Sequence, residues 1–162
     1  MQTFLPYPDF LKSAQVLDKK RCWKQVVEAK QIISILSHLE ECPKDNVPWK
    51  NHPAVKMWEN HIPELAIYFN SFLNISIDIH KINTKYDYYR PIFFYGKRAF
   101  VHDSIILNFP FWLGNEDFHR SHRARLIEKD RDFYLPSFPN DERFNDGKYL
   151  WPDMETKTFK II

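Results

Sequence analysis

The stretch from 18 to 41, DKKRCWKQVVEAKQIISILSHLEE, is the segment that decides the fold. Asp18 is a suitable N-cap, because its carboxylate can accept hydrogen bonds from the unpaired N–H groups of a first helical turn. After it, apolar residues recur at intervals of three and four, the period of an amphipathic helix. These residues are Trp23, Val26 or Val27, Ala29, Ile33, Leu36 and Leu39. The pattern predicts a long helix from 19 to 41.

Further helices are predicted on both sides of this segment. A short helix begins at Pro8, which suits a first helical position, and ends near residue 17. Another is capped by Asn51 or His52 and continues to about residue 74. Pro63 lies inside it, where a proline removes a hydrogen bond and clashes with the preceding turn. This helix is therefore expected to bend or to break into two.

Residues 75–110 have a different character. The run from 90 to 107, RPIFFYGKRAFVHDSIIL, is rich in β-branched and aromatic residues and has Gly-Lys at its middle, which favours a short hairpin. A buried irregular loop is the other reading. The later Pro-, Asp- and Asn-rich part is predicted to wrap the surface, held by Phe133, Tyr134, Tyr149 and Trp151. The expected fold is mainly α, a compact helical bundle with a small β-hairpin insertion around 91–107 as an option.

The composition limits the class of protein. The chain has 162 residues, which fits one domain spanning 1–162, and 44% hydrophobic with 27% charged residues is ordinary for a soluble globular protein. No window approaches the roughly 18 apolar residues that a membrane span requires. The N-terminus lacks the basic region of a signal peptide, and the chain has two cysteines. We therefore expect a protein that is not secreted, works in the reducing cytoplasm and does not enter a membrane.

The segment from 112 to 129, WLGNEDFHRSHRARLIEK, concentrates polar groups on a second helix. Asn115 is a good N-cap, and two acidic residues follow in the first turn, where the helix dipole favours negative charge. A helix is predicted from about Glu116. Its spacing places His119 and His122 on one stripe, and two cations four apart lie on an adjacent one. A solvated charged face is the alternative interpretation.

Known chemical motifs give few assignments. The sequence contains no glycine-rich phosphate loop, GxSxG elbow, HExxH or EF-hand pattern, which argues against the common nucleotide-binding and hydrolase classes. A metal site on His119 and His122, completed by Glu116, His52 or His61, is conceivable because ligands at i and i+3 share a helical face. We expect no metal and no cofactor, since such spacing often arises by chance. The net charge of +2 does not by itself indicate nucleic acid.

Four collinear motifs carry a resemblance to a known family. They are MQTFLPYPDF at 1–10, SA..LD..R..KQ.VEA at 13–29, W.NHPAV.MW at 49–58 and WLGNEDFH.SHR at 112–123. Together they resemble the bacterial and viral proteins grouped with pyrimidine dimer DNA glycosylases of the endonuclease V type.

The resemblance implies a mostly helical enzyme that binds double-stranded DNA as a monomer, bends it at ultraviolet-induced dimers and displaces a base. Such an enzyme uses its N-terminal α-amine as nucleophile on C1′ of the sugar, forms an imine and cleaves the strand by elimination. The chemistry is coherent, because an α-amine with an ordinary pKa of about 7.7–8.0 is partly uncharged at neutral pH, unlike a lysine at about 10.4. Another altered base is an open alternative to the pyrimidine dimer as substrate.

The resemblance also assigns residues. Gln2 is too large for usual methionine removal, so Met1 is the expected nucleophile, and Glu28 is the expected catalytic carboxylate. A surface ion pair with Lys24 is the structural alternative for Glu28. Related chains carry arginine where this one has Val26, and Arg21 or Lys24 is expected to replace that cation. The full predicted DNA-binding set is Arg21, Lys24, His119, His122, Arg123, Arg125 and Lys129.

Two other functions remain open from the sequence. One is a DNA-binding protein of the same fold that has lost the chemistry, and the other is a metal-dependent hydrolase built on His119 and His122.

Overall fold

The computed structural model describes residues 1–89, 92–95, 98–101 and 107–161. In chain order the helices and strands are α1 (Phe10–Gln15), α2 (Lys19–Glu41), α3 (Pro53–Lys56), α4 (Ile62–Asp78), β1 (Ile92–Tyr95), β2 (Arg98–Val101), α5 (Glu116–Lys129), α6 (Arg131–Tyr134), β3 (Leu150–Asp153) and β4 (Thr158–Ile161). The predicted mainly α, compact fold is confirmed. Within the described ranges, no helix combines the length and apolarity that crossing a membrane requires.

The two caps that the sequence indicated begin their helices as predicted. The Asp18 carboxylate accepts a hydrogen bond from the Arg21 N–H at the start of α2. The Asn115 side chain accepts one from the Phe118 N–H at the start of α5. Just before this cap, Gly114 has φ +93°, a left-handed conformation that suits glycine and turns the chain into α5.

The predicted third helix is broken, as expected from its proline. His52 caps α3 by accepting a hydrogen bond from the Ala54 N–H, and that helix ends after one turn. Pro63 lies in the first turn of α4, where a proline needs no hydrogen-bond partner. The proline therefore starts a helix instead of bending one, and α4 continues to Asp78, beyond the predicted end.

Two antiparallel hairpins accompany the helices. Strands β1 and β2 pair with Phe93 opposite Phe100, which confirms a hairpin in the aromatic run, although its turn residues 96–97 lie outside the described residues. Strands β3 and β4 form a second hairpin that the sequence did not predict. Its strands are short, and β3 contains a proline. In the turn, the Asp153 carboxylate accepts hydrogen bonds from two backbone N–H groups.

The buried face of α2 differs from the predicted stripe. Helix α2 packs against α4, but Trp23 and Leu39 are half-buried, whereas Cys22, Gln25 and Glu28 are buried. The buried stripe is therefore rotated by about one residue from the apolar pattern. The polar side chains of Gln25 and Glu28 accept hydrogen bonds from the backbone of the N-terminal segment, and these contacts account for the rotation.

Residues 2–7, which we call the N-terminal strap, pass through the interior without regular secondary structure, and residues 2–6 are buried. No strand lies beside the strap within the described residues, so side chains satisfy its backbone groups. The Phe4 N–H donates to the Gln25 amide oxygen over 2.8 Å. The Tyr68 hydroxyl, on α4, lies 3.0 Å from the Phe4 carbonyl oxygen and 2.9 Å from the same Gln25 oxygen. The strap is thus fixed to both long helices.

Helix α5 binds the other side of the strap. The Gly114 N–H donates to Nε2 of His119, so the proton of this ring is on Nδ1, which donates to the Leu5 carbonyl over 2.7 Å. The Leu5 N–H donates to Nδ1 of His122 over 3.2 Å. The Arg123 guanidinium donates to the Pro6 carbonyl over 2.8 Å.

These contacts correct three of the DNA-binding predictions. His119, His122 and Arg123 are buried, and each has polar groups engaged with the strap. Arg123 also pairs with Asp141 and Glu116. The sequence places the histidine stripe of α5 in the predicted DNA-binding set, but the buried backbone next to it needs those donors and acceptors. The structure therefore gives these three residues a role in holding the N-terminus.

We predict that Arg123→Met destabilises the fold strongly. The substitution leaves the Pro6 carbonyl without its donor and removes one of the two arginines that contact the buried Asp141. Breaking such a buried pair costs about 3 kcal/mol. Urea unfolding measures the loss, and the matched control Arg131→Met breaks an exposed pair with Glu142, which is expected to cost less than about 1 kcal/mol. Equal effects of the two substitutions would contradict the assignment.

Candidate active site at the N-terminus

Glu28 lies beside the start of the chain. Its side chain projects from α2 and is 7% exposed. One carboxylate oxygen accepts a hydrogen bond from the Gln2 N–H over 2.8 Å, and the other is 3.6 Å from the Lys24 ammonium. The α-amine of Met1 is one residue away from the first contact. The structure therefore brings together the two residues that the sequence predicted as nucleophile and carboxylate.

His52 lies on another side of the α-amine. Its ring is half-buried at the start of α3, where Nδ1 accepts the capping hydrogen bond. Burial lowers the pKa of His52, and the nearby positive charge of the N-terminus lowers it further. The imidazole is therefore neutral near pH 7 and presents an aromatic surface close to the amine.

Tyr149 connects the carboxylate to a cation of α5. Burial raises the pKa of Tyr149, as do the nearby carboxylates of Glu28 and Glu128, while Arg125 opposes the rise. The Arg125 guanidinium lies 5.7 Å from the centre of the Tyr149 ring. Tyr149 thus lies between the N-terminal site and α5. The sequence predicted only that Tyr149 would pack the C-terminal part of the chain against the protein.

Four predicted cations come together where α2 begins and α5 ends. The pKa of Lys129 is lowered by burial of its side chain and by the positive charges of Arg125, Lys24 and Arg21. Lys24 is 64% exposed and Lys129 is exposed as well. Like charges this close repel each other, so an anion such as a phosphate group would relieve the repulsion. We call Lys24, Arg125 and Lys129 the cation cluster.

Arg21 contributes charge but is held by the protein. Its guanidinium pairs with Asp18 at 2.7 Å and donates to the Lys129 carbonyl at the end of α5 over 2.8 Å. This contact joins the two helices that carry the cation cluster. Val26 is fully buried, and the cation beside the Glu28 carboxylate is Lys24, one turn earlier on α2.

The proposed metal ligands do not converge. His119 uses both ring nitrogens inside the protein, and His122 uses Nδ1 for the strap. His61 contacts the Asn108 carbonyl, and Glu116 pairs with Arg123. Their polar atoms are therefore directed to separate partners.

One group of potential metal ligands was missed by sequence reasoning. Among the described residues, the ligand atoms of His38, Cys42 and Asp45 lie within 4.8 Å of one another at the far end of α2. All three are exposed, and a 2.9 Å contact between His38 and Asp45 accounts for their closeness. The spacing H-x3-C-x2-D is the signal that identifies the group, which lies at the opposite end of α2 from the N-terminal site.

Comparison with known families agrees with the resemblance drawn from the motifs. Residues 1–74 match the family model for pyrimidine dimer DNA glycosylase. The match supports a DNA glycosylase acting on pyrimidine dimers, and with it DNA binding. The matched region contains Met1, Glu28 and His52, and it ends within α4, before the helix that carries Arg125 and Lys129. Searches of curated proteins and of solved structures found no match.

We predict that the protein loses stability between about pH 6.5 and pH 5. Burial, together with nearby His119 and Arg123, holds the pKa of His122 well below its ordinary value. As the pH falls through about 6.5, the unfolded chain binds a proton that the folded chain does not, so the free energy of unfolding decreases. For one histidine the decrease approaches about 1.4 kcal/mol per pH unit until its folded pKa is reached.

Urea unfolding at a series of pH values measures this loss. His122→Asn keeps an acceptor for the Leu5 N–H but cannot titrate, so its stability should fall less steeply below pH 6.5. The control His38→Asn changes an exposed ring and should retain the wild-type slope. If His122→Asn shows the same slope as the wild type, His122 is not the group responsible.

Proposed function

We propose that this chain is a DNA glycosylase with AP-lyase activity, acting on pyrimidine dimers through the α-amine of Met1. The observation that carries the proposal is the hydrogen bond from the Gln2 N–H to Glu28, which holds a buried carboxylate next to the start of the chain. The match of residues 1–74 to the glycosylase family supports the same reaction.

In the first step, the uncharged amine of Met1 attacks C1′ of the damaged nucleotide. A C1′–N bond forms, the glycosidic bond breaks, and the departing base takes a proton from water. Glu28 accepts a proton from the attached nitrogen and transfers it to O4′ as the C1′–O4′ bond opens, which leaves an imine between Met1 and the sugar. A carboxylate in contact with the first peptide group is well placed for both transfers.

Strand cleavage follows from the imine. Glu28, again ionised, removes a proton from C2′, and the C3′–O bond breaks with release of the phosphate that ends the downstream strand. Addition of water to the remaining imine frees the sugar product as an aldehyde and restores the amine, while Glu28 gives the C2′ proton to the hydroxide that was left when the base was protonated. The Lys24 ammonium lies 3.6 Å from the Glu28 carboxylate oxygen that does not bind the Gln2 N–H.

The cation cluster is proposed to bind the DNA backbone. Lys24, Arg125 and Lys129 are at least partly exposed, carry positive charge and lie on the two helix ends nearest to the catalytic pair. Phosphate contacts of this kind fix the register of a duplex without reading its sequence. They would hold the displaced nucleotide with its sugar toward Met1. The catalytic pair belongs to one chain, so we retain the expectation of a monomer.

We predict that Glu28→Gln lowers strand cleavage by about 10²–10⁴-fold, because the amide cannot carry protons between the reacting atoms. The amide oxygen still accepts the hydrogen bond from the Gln2 N–H, so the fold is retained. Single-turnover cleavage of duplex DNA with one thymine dimer measures the loss. Glu41→Gln, at the exposed far end of the same helix, is the matched control and should cleave at the wild-type rate.

Borohydride trapping on abasic-site DNA decides between catalysis and binding alone. The wild type should give a covalent adduct that peptide mapping places on Met1. Retained DNA affinity without an adduct would instead favour the DNA-binding protein that lacks the chemistry.

We predict that Lys129→Ala and Lys24→Ala each make DNA binding less dependent on salt. Each substitution removes one phosphate contact, so the slope of log K against log salt concentration should decrease in magnitude by about one. Fluorescence anisotropy with an undamaged duplex at several salt concentrations measures the slope. Lys44→Ala is the control, because Lys44 follows the opposite end of α2, which is about 26 Å along the helix axis from Lys24. Unchanged slopes in both variants would remove the cluster from the interface.

A further inference from the structure

Trp49 is an exposed aromatic residue with an unusual backbone. Its side chain is 61% exposed, and it precedes α3 by four residues. Its φ of +68° lies in the left-handed region, which residues with a bulky side chain rarely adopt. The Trp49 carbonyl accepts a hydrogen bond from the His52 N–H over 2.8 Å, which holds the turn in this conformation.

Packing of the indole does not account for the strained backbone. A strained residue persists when surrounding contacts compensate for it, but most of this ring faces solvent. The turn instead places a large flat surface on the outside of the protein. A residue kept in this state is a candidate for a function that needs the ring to be exposed.

A row of aromatic rings connects Trp49 with the N-terminal site. The Trp49 and His52 ring centres are 5.6 Å apart, and those of His52 and Trp151 are 6.1 Å apart. Trp151 is in turn 5.5 Å from Tyr149, which neighbours Arg125 and Glu28. The row therefore begins at the surface with Trp49, passes His52 beside the α-amine, and ends next to the catalytic carboxylate and the cation cluster.

A nucleobase is the ligand that fits this combination. Access of an α-amine to C1′ requires the duplex to open locally, and a base that leaves the helical stack there loses the contacts of its neighbours. An exposed aromatic face restores such a contact whatever the base, because every base has a π-face. The cation cluster supplies the charge that draws the attached phosphates to the same side of the protein.

We propose that Trp49 is a stacking site for a nucleobase displaced from duplex DNA next to the N-terminal amine. The inference rests on the proposed glycosylase function and adds a base-binding residue to it. Trp49 binds the base and does not take part in proton transfer, so its loss affects binding of damaged DNA and leaves the reaction of the amine with an abasic site intact.

The variant Trp49→Gly tests the proposal without strain. Glycine adopts a φ of +68° readily, so the turn survives while the ring is removed. Trp49→Phe keeps an aromatic face and serves as the conservative variant. Tyr88→Ala is the matched control, since Tyr88 is another exposed aromatic residue, whose hydroxyl contacts Asn74 on α4. Thermal unfolding should show little change in Tm for Trp49→Gly.

The measurement is the affinity, by fluorescence anisotropy, for a dye-labelled duplex that contains one thymine dimer. We expect the wild type, Trp49→Phe and Tyr88→Ala to bind this duplex tightly. Trp49→Gly should bind it on the order of 10-fold more weakly, as expected for the loss of one stacking contact. Its affinity for an undamaged duplex should be unchanged.

Borohydride trapping of the same proteins on abasic-site DNA at saturating enzyme separates this inference from the proposed function. An adduct in both the wild type and Trp49→Gly, with weakened dimer binding in Trp49→Gly, supports both. An adduct in both proteins with equal dimer binding overturns the stacking site and leaves the glycosylase proposal standing. Absence of an adduct in the wild type overturns the amine mechanism, and the stacking site, which rests on it, falls with it.

Discussion

The structure depends on the burial of a segment, residues 2–7, that has no regular secondary structure and no neighbouring strand within the described residues. Backbone N–H and C=O groups that leave water must find partners, and each one left without costs about 1–3 kcal/mol. For residues 2–7 the partners are side chains from four helices: Ser13 of α1, Gln25 and Glu28 of α2, Tyr68 of α4, and His119, His122 and Arg123 of α5. The same contacts that satisfy this backbone also hold the first residue next to a carboxylate.

This constraint explains why polar residues occupy positions that would ordinarily be apolar. The motif at 112–123 is far along the chain from those at 1–10 and 13–29, yet all three meet at the strap. Gln25 and Glu28 interrupt the apolar face of α2, and the histidines interrupt that of α5. Such departures from the simple pattern concentrate where a protein has a task beyond folding.

The sequence predicted the helices better than their environment. Periodicity and the caps at Asp18 and Asn115 are local signals, so the sequence predicts the first residues of α2 and α5 correctly. Burial of the α5 histidines depends on which segment packs beside them, and periodicity does not identify that neighbour. The placement of Met1 beside Glu28 could be predicted from the motifs. Tyr149 lies outside the four motifs, and the motif at 49–58 includes Trp49 without indicating a role for it. The hairpin β3–β4 was missed because Pro152 lies within β3, and a proline inside a short run argues against a strand.

The length of chain between the strap and its partners has a consequence for the order of folding. Leu5 forms hydrogen bonds with His119 and His122, which lie 114 and 117 positions further along the chain. These partners have not yet been synthesised when the first helices leave the ribosome. Contacts of such high sequence separation form late, because closing a long loop costs entropy before any contact compensates for it. Helices α2 and α4 can pack early, but the start of the chain must wait for α5. The nascent protein therefore acquires its ordered N-terminus as one of its last folding events.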